Sequence, residues 1–369
     1  MSEISAAIGF NLIVISPTIA LVGTALVLLF FTITIESNEI VKKSITFLGM
    51  LITSFCVFLK FGLFFENGVS SYFTQKILLD EFSLFGNVLI SLILLFNFLP
   101  IWDSSKQLKE KTTEAIILTL MSASGFMLMV DSENLIMLFI GLEIGSISLY
   151  ALAGLNRGDK LSNEASLKYF LLGSLASCIL IYGVSLVYVS FSVFSVYNFA
   201  LGIAYVGPDS VPLTTSIGVL LIFIGLLFKI AAAPFQSWAP DVYQGSPTGY
   251  VGFMSSIAKV SSFIVIARLC LVSINFIIED FNSFFLIVII SSALIGSLFA
   301  SIQEDLKRLL AYSGVVQSGF ILSGIVSGIN GTSASMFYLF TYILQLIGIF
   351  IIFSIINGKL SSEFNIQSI

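Results

Sequence analysis

Charged residues and histidine are scarce in this sequence. Only 10% of its 369 residues are charged, whereas an ordinary globular domain carries roughly a quarter. The chain contains no histidine, which excludes the commonest metal ligand and the usual proton carrier near neutral pH. Any proton chemistry must therefore use Glu, Asp, Lys, Tyr or water.

Cysteines and clustered charges are also few. Cys56, Cys178 and Cys270 lie far apart in apolar runs, where they are predicted to pack as small hydrophobic residues and not to form a disulfide framework or metal cluster. The net charge of −5 is spread thinly along the chain, which favours no nucleic-acid partner. The N-terminus lacks the basic region and cleavage site of a signal or transit peptide.

Apolar runs dominate the rest of the chain. Hydrophobic residues make up 57% of the sequence, and the mean hydropathy is +1.06. Runs of about 20 apolar residues recur, each long enough to cross a hydrocarbon layer of about 30 Å. We therefore predict an all-α, polytopic transmembrane helical bundle of about eleven helices. The predicted spans lie near 11–34, 44–65, 82–101, 113–130, 134–154, 165–190, 213–233, 248–272, 284–302, 309–328 and 334–357.

Basic residues are distributed unevenly between the predicted loops. Nine lie in loops after odd-numbered spans, and one, Lys76, lies in a loop after an even-numbered span. Lys and Arg collect on the cytoplasmic or matrix side of a membrane, so we expect the odd loops to face that side. The N-terminus is then expected outside and the C-terminus inside. The nine residues are Lys42, Lys43, Lys106, Lys109, Lys111, Arg157, Lys160, Lys307 and Arg308.

Two similar stretches indicate an internal repeat. ASLKYFLLGSLAS begins at Ala165 and ASMFYLFTYILQL begins at Ala334, five predicted spans later. An odd offset makes the two units inverted in the membrane, as in many transporters. The first unit would hold spans four to eight, and the second, beginning at span nine, would be incomplete. A chance match is the alternative, because only a handful of residues agree.

Several ionisable residues lie inside predicted spans, where each costs about 2.5–3.5 kcal/mol near the bilayer centre. Glu143 and Lys259 fall near mid-span and are expected either to line a proton or ion path or to form a structural pair. Lys168 lies near one end of its span and could snorkel or function. Arg268 is expected to snorkel or form an ion pair, and Lys60 and Asp131 are expected to be interfacial.

Lys229 is the most informative of these residues. Pro234 follows it and must kink or break the seventh helix. Such a break at membrane depth requires protein or water to satisfy the freed carbonyl groups, and broken helices recur at transport sites. We interpret Lys229 as a proton-loading site whose charge responds to Glu143. A kinked structural helix with a neutral or hydrated lysine is the alternative.

Around Lys229 the sequence resembles a known family. PFQSWAPDVYQGSPT, preceded by GLLFK, is similar to the signature of subunit 2 of NADH dehydrogenase, the counterpart of the bacterial N subunit of proton-pumping NADH:ubiquinone oxidoreductase (respiratory complex I). The pieces NLIMLFIGLEIGSISLYALAG, NEASLKYFLLGSLAS, SSIAKVSSFIVIARL and EDLKRLLAYSGVVQSGFIL agree in order and extend the resemblance over about residues 115–325.

The resemblance implies an antiporter-like membrane-arm subunit of complex I with a broken seventh helix. Its family's proton-translocating carboxylate falls on Glu143 and its lysines on Lys168, Lys229 and Lys259, which carry the input half of a proton path. Residues 1–110 would be an N-terminal three-helix segment, 111–275 the first five-helix antiporter-like repeat and 276–369 a partial second repeat.

The resemblance also implies which cofactors, partners and membrane belong to the complex. NAD, FMN, iron–sulfur clusters and ubiquinone are expected in other subunits, with no cofactor or metal in this one. The expected partners are other membrane-arm subunits and membrane lipids. Phenylalanine at 36 of 369 residues resembles the product of an A+T-rich organellar genome. The expected location is therefore the mitochondrial inner membrane, with the N-terminus in the intermembrane space and the C-terminus in the matrix.

The sequence departs from the family pattern at two places. Gln236 stands where the family usually has histidine, so that position cannot titrate. The family also continues for about three further helices, one with a lysine of the outward path, so either a separate chain supplies them or the exit route is lost. The polar candidates in spans nine to eleven are Gln317, Tyr338 and Gln345. A stand-alone cation/proton antiporter and a non-pumping structural subunit of the same complex remain alternative functions.

Overall fold

The computed structural model describes residues 2–34, 39–107, 112–207, 210–272 and 278–357. Over these residues the protein consists of thirteen α-helices and one two-stranded β-hairpin. Ten of the helices are long and apolar enough to cross a membrane. The described elements are α1 (Ser2–Thr34), α2 (Glu39–Asn67), β1 (Ser70–Tyr72), β2 (Ile77–Leu79), α3 (Glu81–Gln107), α4 (Thr112–Asp131), α5 (Leu135–Ala153), α6 (Lys160–Phe191), α7 (Val196–Val206), α8 (Leu213–Lys229), α9 (Trp238–Gly245), α10 (Thr248–Val272), α11 (Ile278–Ser301), α12 (Leu306–Val326) and α13 (Ile329–Asn357).

These helices confirm the predicted polytopic bundle. Ten predicted spans correspond to single long helices, and the seventh (213–233) corresponds to α8, which ends at Lys229. Residues 230–237 separate α8 from the short helix α9. Hydropathy predicts the spans well because a lipid-embedded chain must satisfy its backbone hydrogen bonds within each helix. The predicted break after Lys229 is therefore present.

Two short elements were not predicted. β1 and β2 form an antiparallel hairpin in which Ser70 lies opposite Leu79. The turn between them passes through left-handed backbone at residues 73–75. The short helix α7 begins after its N-cap Ser195, whose side chain accepts a hydrogen bond from the Asn198 amide. Both elements are too short to span a membrane, so a search for long apolar runs passes over them.

Helix α10 lies at the centre of the bundle. Its span is 94% buried within the protein, and it packs against α3, α4, α8 and α13. A helix that is surrounded on all sides can place polar side chains against protein instead of lipid. This position explains how α10 accommodates both Lys259 and Arg268.

Close contact between α4 and α5 depends on glycine. A Cβ atom at Gly125 would lie 2.4 Å from the Gly145 nitrogen, and one at Gly141 would lie 2.6 Å from the Met129 nitrogen. Small residues spaced four apart allow membrane helices to approach one another closely. The close packing fixes α5, which carries Glu143, against the core.

Two buried ion pairs join helices that are distant in sequence. Lys60 on α2 is 0% exposed, and its Nζ lies 2.8 Å from Asp131 Oδ2 at the end of α4. Asn87 on α3 donates to the same carboxylate at 2.6 Å. Lys60 and Asp131, which were predicted to be interfacial, are therefore buried within the protein, where each is the partner of the other.

Arg268 forms the second pair, which confirms one of its two predicted states. Its Nη2 and Nε donate to the Asp80 carboxylate at 2.6 and 2.9 Å. Its Nη1 donates to the carbonyl groups of Val130 and Ser132 at 2.7 and 3.2 Å. Arg268 thus ties α10 to the ends of α4 and of the β-hairpin.

Candidate functional site

The break in the seventh span is held by hydroxyl groups from neighbouring helices. Ser318 Oγ donates to the Ile230 carbonyl at 2.9 Å. The Ala233 amide donates to Ser292 Oγ at 2.9 Å, and Ser291 Oγ donates to the Ala233 carbonyl at 3.2 Å. Protein groups of α11 and α12 therefore satisfy backbone groups that the break would otherwise leave unpaired inside the bilayer.

Lys229 is the last residue of α8 and lies directly before this break. Its side chain is buried, with the residue 2% exposed. Nζ donates to Ser146 Oγ at 3.1 Å and to Tyr150 Oη at 2.9 Å, and it lies 5.5 Å from the centre of the Tyr150 ring. The ammonium group is thus bound by hydroxyl groups of α5.

Glu143 lies on the same helix as these hydroxyl groups, one turn before Ser146. Its carboxylate acts electrostatically on both Lys229 and Tyr150. The side chain is half-buried, and its Oε1 atom is buried without a hydrogen-bond partner among the described residues. The structure therefore brings Glu143 and Lys229 together through space without a direct salt bridge between these two described residues.

A glycine on α6 makes room for the Tyr150 hydroxyl. A Cβ atom at Gly173 would lie 2.2 Å from Tyr150 Oη. Non-bonded carbon and oxygen atoms do not approach one another this closely. The Tyr150 ring also packs edge-to-face on Tyr169 at 4.7 Å, and Tyr169 stacks on Trp238 at 4.7 Å. The rings fix the orientation of the tyrosine that accepts from Lys229.

Lys259 lies in a separate environment on α10. It is 2% exposed, and its Nζ donates to the Gly314 carbonyl at 2.8 Å and to Tyr342 Oη at 3.3 Å. A Cβ atom at Gly314 would lie 2.4 Å from this Nζ, so glycine at 314 is required for the observed contact.

Lys168 differs from the two buried lysines. Its side chain is 38% exposed and pairs with Glu164 and Asp241, each at 2.6 Å. Asp241 on α9 also pairs with Arg308 on α12 at 2.7 Å. Among the described residues, Lys168 therefore pairs with carboxylates of its own helix and of α9, and it does not contact Glu143.

The four predicted site residues therefore occupy three environments. Glu143 and Lys229 are neighbours, whereas Lys168 and Lys259 each have other partners. Sequence reasoning missed Asp241, Ser146, Tyr150 and Tyr342 as the groups that bind the lysines. Asp241 lies within the quoted signature segment, so its charge was a usable signal, but the hydroxyl partners gave none because Ser and Tyr are common in membrane helices.

A polar cavity lies beside α9 and the start of α12. It has a volume of about 400 Å³ and is lined by Lys307, Ser246, Thr248 and Asp159, among others. Lys307 Nζ donates to the Ser246 carbonyl at 2.9 Å and to the Gln244 carbonyl at 3.3 Å. The cavity gives this end of the bundle a water-accessible recess near the Asp241 ion pairs.

Glu133, which lies two residues after the end of α4, stabilises the start of α7. Its Oε1 accepts hydrogen bonds from Ser195 Oγ and from the Tyr197 amide. Burial raises the pKa of this carboxyl group, and the hydrogen bonds and Arg268 oppose that rise in part. The contacts with the N-terminus of α7 give Glu133 a structural role.

Sequence comparison with known proteins identifies one family and several of its members as similar to this chain. The family described as "NADH:quinone oxidoreductase/Mrp antiporter, TM" matches residues 132–369. NADH-quinone oxidoreductase subunit N of Trichlorobacter lovleyi is 37% identical over 293 residues, which cover 78% of this chain and 59% of that protein. The chloroplastic NAD(P)H-quinone oxidoreductase subunit 2 of Mesostigma viride is 35% identical over 285 residues, 76% of this chain and 57% of that one.

Solved structures share the fold. A chain of respiratory complex I from Thermus thermophilus superposes with a TM-score of 0.75 at 27% identity, covering 92% of this chain and 70% of that chain. The Mrp complex of Dietzia sp. contains a chain with a TM-score of 0.79 at 19% identity, covering 92% and 64% respectively. This chain spans about three fifths of the length of the curated relatives named above. The matched family covers more than half of the chain, and the protein is therefore a multi-pass member of the NADH:quinone oxidoreductase/Mrp antiporter membrane family.

Proposed function

We propose that this chain is a proton-translocating membrane-arm subunit of NADH:ubiquinone oxidoreductase and contains no redox centre of its own. The observation that carries the proposal is Lys229, which is buried at a broken helix and bound by two hydroxyl groups under the influence of Glu143. An ionisable residue inside a membrane bundle is by default a candidate for an ion path.

The partners of Lys229 suit a group that gains and loses a proton. A hydroxyl oxygen can accept a hydrogen bond from an ammonium group, and its hydrogen can donate to a neutral amine. Ser146 and Tyr150 can therefore bind Lys229 in both protonation states. A charged Glu143 stabilises the protonated lysine, and a neutral or more distant Glu143 favours proton release.

Lys168 and Lys259 would lie on either side of this central step. Lys168, with Asp241 and Arg308, would receive protons near the polar cavity at the end of the bundle that carries most basic loops. Lys259 would receive them from Lys229 and pass them on. Because one charge moved against 100 mV costs about 2.3 kcal/mol, the steps must be gated by a distant reaction.

That reaction would take place in other subunits, which would hold NAD, FMN, the iron–sulfur clusters and ubiquinone. The partners of this chain would be other membrane-arm subunits and membrane lipids. We place the complex in the mitochondrial inner membrane. The N-terminus would lie in the intermembrane space and the C-terminus in the matrix, as the distribution of basic loop residues favours.

The proposed chain organisation comprises an N-terminal three-helix segment (1–110), a five-helix repeat (111–275) and a partial inverted repeat (276–369). Matching contacts at the two similar stretches support the repeat. Ser166 Oγ donates to the Tyr150 carbonyl at 2.8 Å, and Ser335 Oγ donates to the Ile321 carbonyl at 2.9 Å. Each serine follows an alanine with which one stretch begins, and each joins its helix to the preceding one.

Replacement of Glu143 tests the proposal. In Glu143→Ala, NADH-driven proton transport into membrane vesicles should fall by about tenfold, which corresponds to about 1.4 kcal/mol on the barrier. The complex should still assemble, because Glu143 forms no direct salt bridge with Lys229. Glu81→Ala, at an exposed position in the first turn of α3, is the matched control and should retain transport. Unchanged transport in Glu143→Ala would contradict the assigned role.

The matched family also includes Mrp antiporters, so a stand-alone cation/proton antiporter is the second candidate. Purification separates the two candidates. A complex I subunit should co-purify with flavin and iron–sulfur absorbance from mild detergent, whereas an antiporter should migrate without either. A complex that contains the chain but keeps full pumping after substitution of all four site residues would indicate a structural subunit.

A further inference from the structure

The side chain of Trp238 reaches across the break in the seventh span. Trp238 is the buried first residue of α9, and residues 230–237 separate it from the end of α8. Its indole Nε1 donates a hydrogen bond back to the Phe228 carbonyl at 3.1 Å, and its ring lies 5.5 Å from the Phe228 ring. Because Phe228 directly precedes Lys229, a side chain of α9 fixes the backbone from which this lysine projects.

The same indole also supports the acceptor of the hydrogen bond that Lys229 donates. It stacks on the Tyr169 ring of α6, with 4.7 Å between the ring centres. The Tyr169 ring packs edge-to-face on Tyr150 at 4.7 Å, and Tyr150 Oη accepts from Lys229 Nζ at 2.9 Å. Stacked and edge-to-face pairs are arrangements that aromatic rings prefer. Contacts therefore run from the indole to both ends of one hydrogen bond.

Ion pairs on α9 hold this helix, and with it the indole, in place. Asp241, one turn after Trp238, pairs with Lys168 on α6 at 2.6 Å and with Arg308 on α12 at 2.7 Å. Because α9 has only eight residues, the ion pairs and the indole lie close together on it. The position of the indole is therefore set by two neighbouring helices.

The backbone at the break does not need the indole as a hydrogen-bond donor. The Phe228 carbonyl also accepts from the Ala231 amide at 3.0 Å. A buried carbonyl that loses its only partner is costly, but one that keeps a partner is not. The indole N–H therefore adds a tie across the break and does not serve to satisfy an unpaired group.

We infer that Trp238 is a positioning residue for Lys229: its indole holds the Phe228 backbone and the Tyr150 ring at the separation at which the lysine binds the tyrosine hydroxyl group. The inference rests on the proposed role of Lys229 in proton transport and adds a residue that acts through its neighbours. Proton transfer requires the two groups to lie within hydrogen-bond distance, so loss of the tie slows transport while the bundle stays assembled.

Replacement of the indole by phenylalanine tests the tie. Trp238→Phe keeps a ring that can stack on Tyr169 but has no N–H donor. NADH-driven proton transport per assembled complex should fall by about 2- to 12-fold, the range expected for the loss of one hydrogen bond. Trp102→Phe is the matched control and should transport like the wild type, because Trp102 is the other tryptophan of the chain, is also buried and packs on Phe98 of its own helix. Wild-type transport in Trp238→Phe would overturn the inference.

A double-mutant cycle with Tyr150→Phe separates positioning from a general effect on stability. Trp238→Phe should slow the Tyr150→Phe variant much less than it slows the wild type, since no hydroxyl group is then left to position. Residues that act through one network show this non-additivity, whereas independent residues do not. Equal fold losses in the two backgrounds would show that Trp238 only stabilises the bundle, and would overturn the inference.

Tyr169→Leu tests the same link if Trp238→Phe does not assemble. It removes the stacked ring and leaves the indole hydrogen bond in place, so its transport loss should also shrink in the Tyr150→Phe background. Equal losses in both backgrounds would again overturn the inference. Lys229→Met distinguishes the two levels of the account. Normal transport in Lys229→Met would overturn the proposed function together with this inference, whereas a loss there with normal transport in Trp238→Phe would overturn this inference alone.

Discussion

Lys60 and Lys229 are both buried lysines, but their surroundings differ. Lys60 lies 2.8 Å from a carboxylate oxygen of Asp131, which is itself bound by Asn87. Among the described residues, Lys229 Nζ donates hydrogen bonds only to hydroxyl groups, and the carboxylate of Glu143 acts on it from a distance. A directly paired lysine is held in its charged form, whereas hydroxyl partners can serve either form. Burial alone therefore does not separate these two lysines; the kind of partner does.

The largest effect is expected when the ion pair between Lys60 and Asp131 is broken. Lys60→Met leaves the Asp131 charge buried and unpaired, so the protein should lose about 3–5 kcal/mol of stability. The measurement is the denaturant midpoint of the purified complex and the abundance of the chain in membranes. Adding Asp131→Asn should recover most of the loss, because the asparagine can still accept from Asn87. A stable Lys60→Met single variant would contradict the structural role of this pair.

Gly314→Ala extends the comparison to Lys259. The added methyl group would lie 2.4 Å from Lys259 Nζ, so the lysine must leave its carbonyl partner, at a cost of about 1–3 kcal/mol. NADH-driven proton transport should be lower in Gly314→Ala than in the wild type. Gly23→Ala on α1, where the methyl group meets open space, is the matched control. Equal transport in the two variants would show that the Gly314 contact is dispensable.

Tyr150→Phe removes one of the two hydroxyl groups that bind Lys229 and leaves the aromatic packing in place. Loss of one hydrogen bond to a charged group costs about 1.5–3 kcal/mol when the other partner stays buried. The main expected result is slower proton transport and a shifted pH profile, since one protonation state loses more than the other. A pH profile that matches the wild type would exclude Tyr150 from the proton step.

The smallest expected effect lies at Lys168. Because its side chain is 38% exposed, loss of the Asp241 partner in Asp241→Asn should change stability by only about 0–1 kcal/mol. Any effect on transport should weaken as salt concentration rises, since solvent ions screen exposed pairs. A large and salt-independent loss of stability would show that this pair behaves like the Lys60 pair.

The sequence predicted much of the fold because membrane spans are read directly from hydropathy. The break after Lys229 was also predictable, since Pro234 lacks the donor that a continuous helix requires. The β-hairpin and α7 were missed because short elements between spans carry no comparable signal. The serines that hold the break were unpredictable, because their role depends on which faces of α11 and α12 turn inward.

For the site, the main feature that the sequence could not predict was which distant residues pair with one another. Lys60 and Asp131 are 71 positions apart, and each seemed interfacial when judged by its place in its own helix. Their contact depends on how α2 and α4 are rotated against each other, which one sequence does not reveal. The resemblance to the family identified Glu143, Lys168, Lys229 and Lys259 as a set, but it did not predict that Lys168 pairs with Glu164 and Asp241.

The most direct test is the number of protons moved per electron in Lys229→Met, measured in sealed vesicles that oxidise NADH. The paired replacement Lys60→Met with Asp131→Asn serves as the control for a buried lysine without a transport role. We predict a lower proton-to-electron ratio in Lys229→Met and the wild-type ratio in the control. A wild-type ratio in Lys229→Met would contradict the assignment of Lys229 as a proton-loading residue.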